Sequence, residues 1–111
     1  MELVLLLRRS GYQVRAARNG VELLSILANW ILNRRGPTPA EVLITDVRMP
    51  GFDGLNIVEG LIANGWTCPV IVMSAFADHS TYERVRRLRA VQFLEKPFDP
   101  AALERTIVQM T

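Results

Sequence analysis

Leu43-Ile44-Thr45-Asp46-Val47-Arg48-Met49-Pro50-Gly51-Phe52-Asp53-Gly54-Leu55 decides how the rest of the chain is read. Val42, Leu43 and Ile44 make an apolar run of the kind found in strands buried on both faces, and the run stops at one carboxylate followed by Pro and Gly. Asp46 is therefore expected at the carboxyl end of a strand. In open parallel α/β sheets, ligand chemistry gathers at that edge, because the loops there form a crevice and the next helix aims its N-terminus into it.

Working outward toward the C-terminus, Gly54 to Ala63 carries Leu55, Val58, Leu61 and Ile62 on one helical face, which Ile57 widens, and Asn64-Gly65 ends the helix. Asp53 precedes that helix and reads as its N-cap rather than as a metal ligand. Val70-Ile71-Val72-Met73 is a second unbroken apolar strand, entered through Pro69 and stopping at Ser74. Thr81 to Arg89 reads as a basic helix, and Val91-Gln92-Phe93-Leu94 as a short strand running into Lys96-Pro97. Asp99 and Pro100 open a last helix as N-cap and first residue, with Leu103, Ile107 and Met110 facing inward.

Toward the N-terminus, Arg34-Arg35-Gly36-Pro37-Thr38-Pro39 is a polar, stiffened connection preceded by a helix from Val21 to Leu32, with Leu23, Leu24, Leu27 and Ile31 on a stripe. Tyr12 to Ala17 alternates as a short strand, Asn19-Gly20 turns out of it, and Glu2 to Arg9 is a helix that ends in two arginines before Gly11. Strands and helices alternate with connections long enough for right-handed crossovers. The expected architecture is a parallel sheet covered on both faces.

With 111 residues, 50% of them hydrophobic and 22% charged, the chain is expected to be one cytosolic domain spanning residues 1–111. Its apolar runs are too short to cross a bilayer, and no membrane partner is expected. The single cysteine, Cys68, excludes an internal disulfide and reads as a small filler. A formal charge of +2 does not by itself imply nucleic acid, which is not expected as a direct partner.

If the strands are parallel and in register, Asp46, Ser74 and Lys96 each follow an apolar strand and meet at one edge of the sheet. A carboxylate, a hydroxyl and an ammonium gathered there suit phosphoryl transfer, in which the protein positions groups and neutralises charge. Asp46 would be the nucleophile, Ser74 a hydrogen-bond donor to the phosphoryl group and Lys96 its point-charge partner.

Thr45-Asp46-Val47-Arg48-Met49-Pro50-Gly51-Phe52-Asp53-Gly54, Met73-Ser74-Ala75 and Phe93-Leu94-Glu95-Lys96-Pro97-Phe98 together resemble the receiver domain of bacterial two-component response regulators, particularly those of enhancer-binding transcription activators. The resemblance covers the whole chain. It implies a flavodoxin-like doubly wound parallel sheet and a phosphoacceptor at Asp46, charged by a histidine kinase with Mg²⁺ assisting. By the same resemblance, Ser74 and Phe93 match the family's switch pair, and Lys96-Pro97 matches its Lys-Pro pair, usually cis. The basic helix, the Phe93 strand and the last helix correspond to its usual output surface, where an output protein or a second copy would dock.

The sequence departs from the family pattern at the start. Receivers begin with an inner strand that ends in an acidic pair holding Mg²⁺; here roughly ten to fifteen residues of that kind are missing. The expectation is an incomplete sheet, with Mg²⁺ left to the Asp46 carboxylate, the Arg48 backbone carbonyl and water, and hence weakened. That favours a second reading, a phosphorylation-independent interaction module with a receiver-like scaffold. A third, an aspartate-nucleophile phosphatase, loses ground because Arg48 stands where such enzymes carry a second Asp; no enzyme is expected.

Several residues have plainer readings. Phe93 is first a core aromatic, and Trp30 and Trp66 are packing residues. Arg84, Arg86, Arg87 and Arg89 read as a solvated helix face because Glu83 is interleaved and no aromatic platform accompanies them. His79 is expected at an exposed loop or helix start.

Overall fold

In a computed structural model that describes residues 3–33, 40–49, 51–75 and 78–111, the chain alternates helices and strands. They are α1 (Leu3–Arg9), α2 (Gly20–Asn33), β1 (Leu43–Asp46), β2 (Arg48–Met49), β3 (Phe52–Asp53), α3 (Gly54–Ala63), β4 (Val70–Ser74), α4 (His79–Arg86), β5 (Val91–Glu95) and α5 (Pro100–Met110). The expected connection from Arg34 to Pro39, the start of the first helix at Glu2 and the Pro50 of the Asp46 loop lie outside the described residues.

β1, β4 and β5 form a parallel sheet in the order β1-β4-β5. The register runs from Leu43 opposite Val70 to Asp46 opposite Met73, and from Val70 opposite Val91 to Ser74 opposite Glu95. β2 and β3 make a two-residue antiparallel hairpin between β1 and α3. It turns through Gly51 at φ +76°, a left-handed conformation that costs glycine little.

Every residue of β4 is buried, and successive side chains enter different cores. Val70 and Val72 join Leu23, Leu27 and Trp30 of α2, Leu55, Val58 and Leu61 of α3, and Val85 of α4. Ile71 and Met73 join Leu7 of α1 and Leu103 and Ile107 of α5. The unbroken apolar run of β4 follows from this arrangement: with helices on both faces, neither parity of the strand meets water. Each such side chain stabilises the fold by about 1.5–3 kcal/mol relative to leaving it exposed.

Trp30 and Trp66 meet edge to face with ring centroids 5.0 Å apart, and the Trp66 indole N–H donates to the Cys68 carbonyl at 3.0 Å. Both are packing residues, as expected, and Cys68 is a half-buried filler beside them. α5 begins as predicted, with the Asp99 carboxylate accepting from the Ala101 N–H and Pro100 in the first turn.

Two expectations need correction. Tyr12 to Ala17 is not a strand. Alternation alone cannot make one, because a strand needs a neighbour for its ladder; this segment is tied instead to the end of α1, the Tyr12 N–H to the Leu7 carbonyl at 3.0 Å and the Arg8 guanidinium to the Val14 carbonyl at 3.2 Å. Val14 packs with the α1–α5 core and Ala17 with the α2–α3 core, while Arg15 and Ala16 are exposed.

The basic helix also starts earlier than Thr81 and ends before Arg89. Asp78 caps it, accepting from the Thr81 N–H at 2.9 Å, which puts His79 at an exposed helix start as expected. Past Arg86 the chain turns through Ala90 at φ +58°, whose carbonyl accepts from the Val70 N–H at 2.9 Å and so leads into β5.

Gly54 sits where α3 crosses closest to β1. Its N–H donates to the Val47 carbonyl at 2.6 Å, and a Cβ there would collide with the Asp46 carbonyl oxygen and lie 2.9 Å from the Thr45 hydroxyl. We expect Gly54→Ala to lower stability by about 1–3 kcal/mol, read as a lower denaturant midpoint at unchanged slope.

The Thr81 N–H, then the Thr81 and Ser80 hydroxyls, with the Arg48 charge adding to them, hold the Asp78 carboxyl below its ordinary 3.8. A depressed folded-state value stabilises α4 above the unfolded value, and the contribution is lost as pH falls through the lowered one. In an NMR titration the Thr81 amide of the wild type should therefore keep its capped shift above about pH 4 and lose it below, and Asp78→Ala should abolish the transition.

Candidate functional site

The carboxyl edge of the sheet collects the three polar residues singled out in the sequence. Asp46 closes β1, and the pairing of Asp46 with Met73 puts Ser74 one step further along the neighbouring strand. The pairing of Ser74 with Glu95 puts Lys96 one step past the end of β5, where its N–H donates to the Ser74 carbonyl at 2.8 Å. Strands in a sheet lie about 4.8 Å apart, so the backbones at Asp46 and Lys96, with β4 between them, are separated by roughly 10 Å. The four-carbon lysine stem bridges that gap: Nζ of Lys96 reaches Oδ1 of Asp46 at 2.5 Å.

Both partners keep 40% of their side-chain surface open to solvent, so the pair is accessible to an incoming group. Ser74 is buried beside them at the strand end. Below Asp46, Thr45 is buried and its hydroxyl donates to the Asp46 carbonyl at 3.1 Å, while the Val47 N–H donates to the Met73 carbonyl at 2.8 Å. The backbone carrying the carboxylate is thus fixed on the β4 side and, through Gly54, on the α3 side. The Lys96–Pro97 peptide bond is cis.

Arg48 is exposed on β2, paired with Asp53. Asp53 is the N-cap of α3, as the sequence indicated, with Oδ1 accepting from the Leu55 N–H at 2.8 Å and the Asn56 N–H at 3.2 Å. Phe93 is half-buried on β5, packs against the α2–α3 core and meets the Tyr82 ring of α4 at a centroid distance of 5.0 Å. The Tyr82 hydroxyl donates to Glu95 at 3.3 Å; loss of solvation and the nearby Glu95 carboxylate push its phenol up from the ordinary value.

The solvated-face reading is wrong for Arg84. Its guanidinium points back at α3, donating to Asn56 at 2.7 Å and to Glu59 and reaching Asp53 Oδ2 at 3.5 Å, and 30% of its side chain is exposed. The hydrogen bonds to Glu59 raise its pKa further. Asp53, Asn56 and Glu59 recur at a three-residue spacing along one face of α3, a signal that points to a partner only once α4 is known to pack beside it. Arg86, Arg87 and Arg89 do lie exposed, Arg86 pairing with Glu83 at 3.0 Å.

Among the described residues no three of His, Cys, Asp and Glu gather into a set able to hold a metal ion. Mg²⁺ demands near-octahedral oxygen coordination and gives up its water reluctantly. One carboxylate facing an ammonium, with the Arg48 carbonyl, supplies only part of that oxygen set. No described helix is long and apolar enough to cross a membrane.

Residues 1–108 match the family described as the response regulator receiver domain. The chain is similar to the response regulator MprA of Mycobacterium sp. (strain KMS), 38% identical over an alignment of 110 residues that covers 94% of this chain and 42% of MprA. It is also similar to the DNA-binding transcriptional regulator NtrC of Escherichia coli (strain K12), 34% identical over 102 residues, 88% of this chain and 20% of NtrC. The chain therefore spans less than half the length of these curated relatives. Among solved structures, the receiver domain of the hybrid histidine kinase CckA superposes with a TM-score of 0.71 at 32% identity, covering 97% of this chain and 84% of that one. The family match takes in every strand of the sheet and all but the end of α5, and the chain belongs to the response regulator receiver domain family.

Proposed function

We propose that this chain is the phosphoacceptor of a two-component relay, taking a phosphoryl group onto Asp46 from a histidine kinase. The observation that carries the reading is the 2.5 Å contact of Lys96 with Asp46 at the sheet edge, with Ser74 one strand step away. An Asp46 carboxylate oxygen attacks the phosphorus of the kinase phosphohistidine; the P–O bond forms as the P–N bond breaks, and the imidazole leaves with the bonding pair. The Lys96 ammonium faces the oxygens on which charge is spread, and the Ser74 hydroxyl donates to one of them. Receivers generally bind Mg²⁺ for this step; no part of the present scheme is routed through it. The carrier would work in the cytosol, and the face of α4, β5 and α5 would present the outcome to an output protein or a second copy.

The thin set of metal ligands among the described residues favours a second reading, in which the scaffold binds partners without phosphorylation. Intact-mass analysis after incubation with acetyl phosphate separates the two. The relay reading expects the wild type to gain the mass of one phosphoryl group, Asp46→Ala to gain none, and Lys96→Ala to label more slowly on the order of a hundredfold. A wild type that gains no mass supports the binding module.

A further inference from the structure

α4 is tied near its C-terminal end to the segment that follows Asp46. Near its C-terminal end, Arg84 donates to Asn56 at 2.7 Å, to both carboxylate oxygens of Glu59, and reaches Asp53. At its start, the Asp78 cap is held by the Thr81 N–H, and the charge of Arg48 is the smallest of the influences on its carboxyl. Arg48 and Asp53 are themselves cross-strand partners in the β2–β3 hairpin, and Arg48 comes two residues after Asp46.

We propose that Arg84, with Asp53, Asn56 and Glu59, forms an electrostatic latch that restrains α4, and that the hairpin carries the charge state of Asp46 to that latch. The second half rests on the reading of Asp46 as phosphoacceptor. Arg48 stands two residues from Asp46, at most about 7 Å along the backbone, inside the screening length of physiological salt. A phosphoryl group there turns a carboxylate of charge −1 into an acyl phosphate carrying close to −2, and this net gain of about one negative charge pulls Arg48 toward Asp46, away from Asp78. The hairpin that pairs Arg48 with Asp53 shifts with it, and Asp53 is one of the carboxylates on which Arg84 rests. The acceptors of Arg84 lie on the hairpin and on α3, whereas Tyr82, two residues away on α4, meets Phe93 of β5.

Hydrogen exchange of the full chain, read by peptide mass, tests both halves. In unlabelled protein, Arg84→Gln should speed exchange of residues 79–86 roughly fivefold while α5 is unchanged, and Arg84→Lys, which keeps charge but loses the planar fork, should fall between. No change in α4, or an equal rise across α3, α4 and α5, would overturn the latch. Acetyl phosphate labelling should then speed α4 exchange in the wild type and add little in Arg84→Gln; an equal increase in both proteins would overturn the coupling. Because Arg84 lies outside the Asp46 site, both proteins should take the label alike. If neither does, the phosphoacceptor reading and the coupling fail together, while the unlabelled comparison still decides the latch.

Discussion

Parallel register across β4 is the constraint from which the rest of the site follows. Asp46 and Lys96 belong to strands that never touch, and they meet because β4 holds β1 and β5 in step and a lysine stem is long enough to cross it. A slip of the ladder on either side of β4 would carry the ammonium or the hydroxyl away from the carboxylate and turn core side chains outward. The ion pair itself does little for stability, since both partners keep 40% of their surface in water and exposed pairs are screened. Its significance is positional. On the reading proposed for Asp46, the ammonium already stands where the negative charge of a phosphoryl group would gather, and no reorganisation would be needed.

That register is in turn held by a core divided in two. Val70 and Val72 commit one face of β4 to α2, α3 and α4, and Ile71 and Met73 commit the other to α1 and α5. The close crossing at Gly54 then draws the start of α3 against the backbone of Asp46. Rigidity at the site thus comes from apolar burial and one side-chain-free crossing rather than from polar contacts of the reacting residues.

Much of this was legible in the residues because burial on both faces leaves an unmistakable trace. Unbroken apolar runs at Leu43–Ile44 and Val70–Met73, each stopped by a polar residue, marked strands and the places where they end. The Asp53 and Asp99 caps were equally readable, since capping depends on a few neighbouring residues. What could not be read depends on neighbours distant in the chain. Tyr12 to Ala17 alternates like a strand, yet finds no ladder and follows α1 instead. The β2–β3 hairpin is too short to show a period. Arg84 looked like its exposed neighbours because nothing in the α4 sequence records that α3 sets two carboxylates and an amide opposite it.

Asp53 shows why two helices joined by one residue can still respond differently. Its Oδ1 accepts the Leu55 and Asn56 amides that open α3, whereas Oδ2 faces Arg84. With the two tasks on separate oxygens, withdrawal of the guanidinium leaves the cap intact, and α3 keeps its N-terminal anchor next to Asp46. For α4, the contacts apart from Arg84 are the Asp78 cap, the packing of Thr81 and Val85, and the approach of Tyr82 to Phe93 and Glu95. The geometry therefore distributes restraint unevenly, with α3, beside Asp46, capped at its backbone and α4 tied to it by solvent-accessible charge. Such charge is weakened by salt and by competing anions, whereas a backbone cap and a buried face are weakened much less.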